Sequence, residues 1–203
     1  MKIAVLASGS GSNLQVLIDQ LHCDENSGIE IAVVIGDRKN AYALTRARNA
    51  GVSTYFVDAK NFPDREAFDA EISRLIELHD TEVIVLAGYM KLFQSPFVRK
   101  YRNRIINIHP SLLPAFPGAH PVPDTLNYGV KVTGVTVHFV DEGIDTGPII
   151  AQVTVPISDD DDEESLHARI QVEEHKLYPQ VIKWYAAEKL KVSGRKVIVK
   201  ESA

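Results

Sequence analysis

Short aliphatic and β-branched runs alternate with helix-like segments through the first hundred residues, and this alternation constrains the fold most strongly. The apolar runs occupy residues 3–7, 29–35, 54–57 and 82–87. Apolar residues at helical spacing fill the intervals 13–21, 41–49 and 63–79. Parallel strands need helical crossovers and are buried on both faces. The order therefore predicts an α/β fold built on a Rossmann-like, doubly wound and mostly parallel sheet.

The second half of the chain has a different pattern, in which strands and proline-containing loops precede one long helix. Strands are predicted at 104–108, 132–140 and 149–157, and a proline-rich loop is predicted after Pro114. A helix is predicted from 165 to 190, kinked or broken near Pro179, because proline removes a backbone donor. The tail beyond Val192 is predicted to add a weak strand, and the acidic run 159–164 to be a solvated loop at the helix start.

Composition argues against several functional classes. The chain of 203 residues carries a net charge of −5, whereas nucleic-acid binders usually have a basic surface. A single cysteine, Cys23, excludes an intramolecular disulfide and argues against a cysteine-based metal site. No apolar run approaches the length of a membrane span. We therefore expect a cytoplasmic protein that binds no metal, no nucleic acid and no membrane.

A glycine-containing loop, Ser8-Gly9-Ser10-Gly11-Ser12-Asn13, joins the first strand to the first helix. Free backbone N–H groups at such a junction bind anions. The dinucleotide fingerprint requires a third glycine where Leu14 stands, so a single phosphate is the better match. Ser12 and Asn13 add donors, and Arg65 would supply a positive charge. The alternatives are a purely structural turn and, for Arg65, a surface position.

Asn107 and His109 lie two residues apart where a predicted strand ends, so both side chains point to the same face. Histidine moves protons near neutral pH, and an asparagine amide stabilises an oxyanion. Asp145, in a turn-rich loop between two strands, is the best candidate to orient His109 and raise its pKa. The alternatives are a structural histidine and an ordinary solvated turn.

Long segments of the chain closely resemble the folate-dependent formyltransferases. They are Gly9–Leu14, Ala87–Leu92, Asn107–Pro114, Phe116–Gly118, Gly134–Ile149 and Glu174–Pro179. The resemblance implies the formyltransferase type of fold and transfer of the formyl group of 10-formyltetrahydrofolate, a co-substrate, to the amine of glycinamide ribonucleotide. Methionyl-tRNA formyltransferase and formyltetrahydrofolate deformylase carry additional domains, and we expect neither here.

The resemblance also implies a division of labour within one formyltransferase domain spanning 1–203. Residues 1–100 would bind nucleotide and phosphate, and residues 101–203 would bind folate and perform catalysis. The catalytic residues would be Asn107, His109 and Asp145. The substrate would contact Gly11, Ser12, Asn13, Arg65 and Glu174. The folate would contact Met90, Lys91, Leu92, Asp141, Glu142, Gly143 and Ile144.

Some points stay open at the level of sequence. Met90 and Leu92 are equally typical of core residues, and the Pro121-Val122-Pro123 segment departs from the relatives, which puts the local substrate contacts in doubt. Two other functions compete with transfer: hydrolysis of 10-formyltetrahydrofolate, and nucleotide binding without catalysis. The oligomeric state is also open, with a homodimer as one alternative.

Overall fold

The computed structural model describes residues 1–200, and the chain divides into two compact units. The first unit spans Met1–Ile106 and the second begins at Asn107. No helix within residues 1–200 combines the length and the apolar composition that a bilayer span requires.

The first unit alternates strands and helices in the predicted order. The strands are β1 (Lys2–Ala7), β2 (Glu30–Gly36), β3 (Ser53–Phe56) and β4 (Val83–Leu86). The helices are α1 (Ser12–Leu17), continued by a π-helical turn at Ile18–His22, then α2 (Tyr42–Asn49), α3 (Arg65–Leu78) and the short α4 (Ser95–Lys100). A 3-10 turn at Ala59–Asn61 precedes α3.

The four strands pair in the order β3-β2-β1-β4, and all three pairings are parallel. The chain moves outward from β1 to β3 and then returns to place β4 on the other side of β1. Open α/β sheets bind ligands at such a reversal, beyond the carboxyl ends of the strands. The loops that follow β1 and β4 therefore mark a ligand-binding edge within the first unit.

Asp64 caps α3 as predicted, because its carboxylate accepts a 2.8 Å hydrogen bond from the backbone N–H of Ala67. The apolar stripe of the helix is buried at Phe68, Ile72, Leu75 and Ile76. Local capping and amphipathic spacing thus both favour this helix. It places Arg65 at its first position.

The second unit has a mixed sheet. Its strands are β5 (Ile105–His109), which starts at the end of the first unit, then β6 (Val132–Phe139), β7 (Ile149–Pro156), β8 (Leu190–Ser193) and β9 (Lys196–Val199). They follow the order β5-β6-β7-β9-β8. The β6–β7 and β8–β9 pairs are antiparallel, and β7 meets β9 in parallel at Ile149 and Lys196. The tail is thus a hairpin rather than a single weak strand.

The two helices of this unit correct the sequence-based expectations. Helix α5 (Pro121–Tyr128) begins inside the expected proline-rich loop, because proline is tolerated in the first turn of a helix. Helix α6 (Glu163–Ala186) runs unbroken through Pro179, so the predicted break is wrong. Buried Leu177, Tyr178 and Val181 surround this proline, and their packing compensates for the lost backbone hydrogen bond.

The acidic run before α6 has a defined structural role. Asp162 caps the helix, accepting a 2.8 Å hydrogen bond from the N–H of Ser165, whose hydroxyl in turn accepts from the N–H of Asp162 at 3.0 Å. Asp161 forms an ion pair with Arg169 on the next turns of the helix. Asp159 pairs with Lys131 at 2.7 Å. The run therefore fixes the start of α6.

Candidate functional site

The glycine loop after β1 has the conformation expected of a helix-start anion site. Gly11 precedes α1 with a φ of 73°. A Cβ at this position would lie 2.7 Å from the Cα of Ala43, so any other residue would be both strained and in collision. Ser12 and Asn13 form the first turn of α1 and are partly exposed. The loop therefore presents backbone N–H groups and polar side chains together.

The segment after β4 is attached to this loop. The N–H of Ser8 donates to the carbonyl of Gly88 at 3.1 Å, and the N–H of Met90 donates to the Ser8 hydroxyl at 2.9 Å. The side chains of Met90 and Leu92 are 57% and 63% exposed, so the core interpretation of these two residues is wrong. Lys91 between them is partly exposed. Exposed apolar side chains beside backbone polar groups suit a flat heterocyclic ligand.

Arg65 contacts the segment that the resemblance assigns to folate. Its guanidinium donates to the carbonyl of Leu92, lies 3.4 Å from the carboxylate of Asp69 and sits over the ring of Phe68. Burial raises the pKa of Asp69, although the N–H of Gln94 and the charge of Arg65 act in the opposite direction. These contacts place the positive charge of Arg65 beside Leu92.

The second unit brings Asn107, His109 and Asp145 together. Nδ1 of His109 lies 3.5 Å from Oδ2 of Asp145, and Nδ2 of Asn107 lies 3.5 Å from Oδ1 of the same carboxylate. Asn107 and His109 are on β5, two residues apart as predicted, and Asp145 is in the loop between β6 and β7. The candidate catalytic side chains of Asn107 and His109 thus both lie against the carboxylate of the third, Asp145.

His109 is buried between two acceptors. Its Nε2 lies 2.8 Å from the carbonyl of Phe116, and its Nδ1 faces Asp145. Burial lowers the pKa of His109, while the Phe116 carbonyl and the Asp145 charge act to raise it. Only a protonated ring can donate to both acceptors. Burial outweighs these two influences and leaves the pKa of His109 below its usual value, so the neutral ring prevails at neutral pH and the imidazolium, once formed, gives up its proton readily.

His138 is a member of this cluster that the sequence reasoning missed. Its Nε2 lies 3.2 Å from Nδ2 of Asn107 and 3.6 Å from Oδ1 of Asp145, while its Nδ1 lies 2.9 Å from the Phe139 carbonyl. The β6–β7 register shifts between Val137 and His138, a bulge of the kind that re-aims side chains beside active sites. The available signal was a histidine near the end of the strand that leads into the loop of Asp145.

The contact between Asn107 and His138 orients the amide. A neutral His138 that donates from Nδ1 to the Phe139 carbonyl can accept an amide proton of Asn107 at Nε2. Within residues 1–200, the second amide proton has only the long 3.5 Å contact with Asp145. This proton is therefore available to a stronger acceptor, such as an oxyanion.

Asp145 is held in an unusual backbone conformation, with a φ of 53°. Its Oδ2 accepts a 2.8 Å hydrogen bond from the N–H of Gly118. Burial raises the pKa of Asp145, but the contact with His138, the hydrogen bond from the N–H of Gly118 and the charge on His109 together outweigh it and leave the pKa below its usual value. The carboxylate is therefore ionised at neutral pH, and such strained residues cluster at functional sites.

The loop that carries Asp145 is braced internally. Oδ1 of Asp141 accepts from the hydroxyl of Thr146 at 2.6 Å and from the N–H of Gly143 at 3.1 Å. A Cβ on Gly147 would lie 1.7 Å from the carbonyl of Phe139, so only glycine permits this approach. Arg195 of the C-terminal hairpin donates to the Thr146 carbonyl at 2.8 Å. The loop is thus fixed on both sides of Asp145.

The remaining candidate residues occupy two environments. Glu142, Gly143 and Ile144 are exposed in the loop, and Ile144 is 51% exposed. Glu174 is buried on α6. Among residues 1–200, no cluster of three or more histidine, cysteine or acidic side chains could hold a metal ion.

Comparison with known proteins gives consistent matches. The formyl transferase family matches residues 1–182. The phosphoribosylglycinamide formyltransferase of Escherichia coli K12 is 42% identical over 95% of this chain and 90% of its own length. The trifunctional purine biosynthetic protein adenosine-3 of Drosophila melanogaster is 46% identical over 89% of this chain. The chain spans only 14% of the length of that trifunctional protein.

The fold is also found among solved structures. The crystal structure of glycinamide ribonucleotide transformylase 1 from Symbiobacterium toebii superimposes with a TM-score of 0.95 at 46% sequence identity. The alignment covers 99% of this chain and 94% of that one. The α/β fold of the formyltransferase type, predicted from the sequence, is thereby confirmed.

Proposed function

The chain belongs to the formyl transferase family, and we propose that it transfers the formyl group of 10-formyltetrahydrofolate to the amine of glycinamide ribonucleotide in purine biosynthesis. The observation that carries this proposal is the Asp145 carboxylate, within 3.6 Å of Asn107, His109 and His138. This arrangement supplies an oxyanion donor and a proton carrier, which acyl transfer to an amine needs.

The reaction proceeds by direct attack. The neutral amine of the nucleotide attacks the formyl carbon, and a tetrahedral intermediate forms with negative charge on the former carbonyl oxygen. The second amide proton of Asn107 donates to that oxygen, and the positive charge of protonated His109 stabilises it. The bond from carbon to N10 of the folate then breaks, and a proton lost by the attacking amine ends on N10. No covalent intermediate with the enzyme is required.

Asp145 has two roles in this reaction. Its negative charge stabilises the imidazolium form of His109 against burial in the site. The carboxylate also accepts the proton released by the attacking amine and passes it toward the leaving nitrogen, through water. His138 contacts the side chains of both Asn107 and Asp145 and keeps them in position. It does not itself touch the reacting atoms.

The proposed binding roles follow the division given in the sequence analysis, except at Arg65. The loop at Gly11, Ser12 and Asn13 binds the phosphate of the nucleotide, and Glu174 contacts the nucleotide substrate. The segments 90–92 and 141–144 bind the folate, and the exposed apolar side chains in both support this assignment. Arg65 contacts Leu92, which supports a role for its charge beside the folate rather than at the phosphate loop.

A two-substrate assay tests the proposal. Purified protein is mixed with a 10-formylfolate analogue, and absorbance of the deformylated product is followed with and without glycinamide ribonucleotide. Turnover that requires the nucleotide supports the transferase. Turnover without it identifies a hydrolase, and binding of nucleotide without turnover identifies a non-catalytic module.

Two further expectations stay predictions from the sequence. They are the cytoplasmic location and the absence of nucleic-acid and membrane partners. A homodimer remains an open alternative to a monomer, and light scattering across protein concentrations distinguishes the two states.

A further inference from the structure

Thr136 is a fully buried residue of β6 whose hydroxyl makes three hydrogen bonds. It donates to the carbonyl of Ser111 at 2.7 Å and accepts from the N–H of Leu113 at 3.0 Å. It also accepts from the amide of Gln152 at 2.9 Å, and that amide donates to the Leu113 carbonyl at 2.9 Å. Thr136 and Gln152 thus tie the start of the loop after β5 to two strands.

The same loop holds His109 from its other side. Ser111, fully buried, donates from its hydroxyl to the Ala115 carbonyl at 2.6 Å and lies 3.3 Å from the carbonyl of Phe116. Phe116 has a left-handed φ of 51°, and its carbonyl lies 2.8 Å from Nε2 of His109. Ser111 therefore connects the Thr136 contacts to the acceptor that faces the imidazole.

We propose that Ser111, Thr136 and Gln152, the loop brace, are positioning residues that hold the Phe116 carbonyl against His109 and thereby keep its ring oriented for catalysis. The catalytic consequence of this proposal rests on the proposed function, whereas the orientation of the ring does not. Each member acts through the loop, and none touches the reacting atoms. An imidazolium that donates to fixed acceptors at both nitrogens can take only one orientation.

A merely structural role for Thr136 is the competing interpretation, and the same strand provides a matched control. Thr133 is 2% exposed on β6, and its hydroxyl has no hydrogen-bond partner among residues 1–200. A threonine-to-valine change removes a hydroxyl and keeps the volume at both positions. If only packing matters, the two valine variants behave alike.

The test compares T136V with T133V in two measurements. NMR follows the titration of the His109 ring in the protein without ligand, and kinetics give kcat and KM for both substrates. In T136V we expect the pKa of His109 to fall below its value in wild type and in T133V. We also expect kcat to fall by roughly tenfold, with KM changed by less than about twofold, because the hydrogen bond between His109 and the Phe116 carbonyl is weakened. T136S keeps the hydroxyl and should restore both values.

Several results would overturn the proposal. One is a His109 titration that is identical in T136V and T133V, and another is an equal loss of kcat in the two variants. If T136V does not fold, Q152A takes its place in the test. Gln152 is exposed, and its truncation loosens the same loop. A His109 titration in Q152A that matches wild type would refute the brace. If wild-type protein transfers no formyl group, the proposed function fails while the NMR titration still decides the orientation of His109.

Discussion

Replacing Asp145 with asparagine removes one negative charge and leaves the side-chain shape almost unchanged. In the structure the carboxylate lies 3.5 Å from Nδ1 of His109. At that distance, with an effective dielectric constant of ~20, two unit charges attract by roughly 5 kcal/mol. Screening at the partly exposed carboxylate reduces this figure. We therefore expect kcat to fall by a factor on the order of 10²–10⁴, because fewer molecules carry a protonated His109.

The assay measures kcat and both KM values for wild type and D145N, with circular dichroism to show that the variant is folded. The matched control is D159N, which removes a carboxylate from the exposed pair with Lys131. We expect D159N to turn over at a rate close to that of wild type. A folded D145N protein with nearly wild-type kcat would refute the role of Asp145 as the charge that supports His109.

The same substitution predicts a change in the pH dependence of stability. The pKa of Asp145 is lowered in the folded protein, since the hydrogen bonds and charge around it outweigh its burial. An acid of this kind contributes stability above its ordinary pKa of about 3.9, and that contribution is lost as the pH falls through the lowered value. Urea unfolding at stepped pH should show that D145N loses less stability than wild type below roughly pH 4. Equal losses in both proteins would contradict the lowered pKa.

Three further predictions concern neighbouring parts of the molecule. H138F should lower kcat by roughly tenfold, because Asn107 loses the acceptor that orients its amide; an unchanged kcat would remove His138 from the site. R65A should raise KM for the folate more than KM for the nucleotide, since the guanidinium contacts Leu92; a rise confined to the nucleotide would return Arg65 to the phosphate loop. D162A should lower the free energy of unfolding with unchanged KM values, because it removes the cap of α6; unfolding at the wild-type midpoint would argue against this cap.

The elements that the sequence predicted well are those in which local signals agree. The aliphatic run of β4 (Val83–Leu86) is buried throughout, and the Asp64 cap and apolar stripe of α3 lie where expected. The predicted break of α6 at Pro179 is wrong, because the buried residues around this proline pack against elements distant in sequence, β6, β7 and α5. Helix α4 (Ser95–Lys100) has only six residues, too few for apolar periodicity to be visible.

The candidate site divides in the same way. The spacing of Asn107 and His109 and the position of Asp145 in a loop were readable from the chain, and the structure groups all three. The left-handed backbone of Asp145 and the bulge at His138 were not readable, because both depend on how β6 pairs with β7. His138 could therefore be assigned to the site only from the pairing of β6 with β7 in the structure.

The central claim is direct transfer of a formyl group between two substrates, and a single-turnover experiment with labelled folate tests it most directly. Enzyme in excess is mixed with 10-formyltetrahydrofolate carrying a ¹³C-labelled formyl group and with glycinamide ribonucleotide, and the quenched mixture is analysed by mass spectrometry. In direct transfer the label appears as a formamide on the nucleotide amine, with none on the protein. Label recovered as free formate, or attached to the protein, would contradict direct transfer.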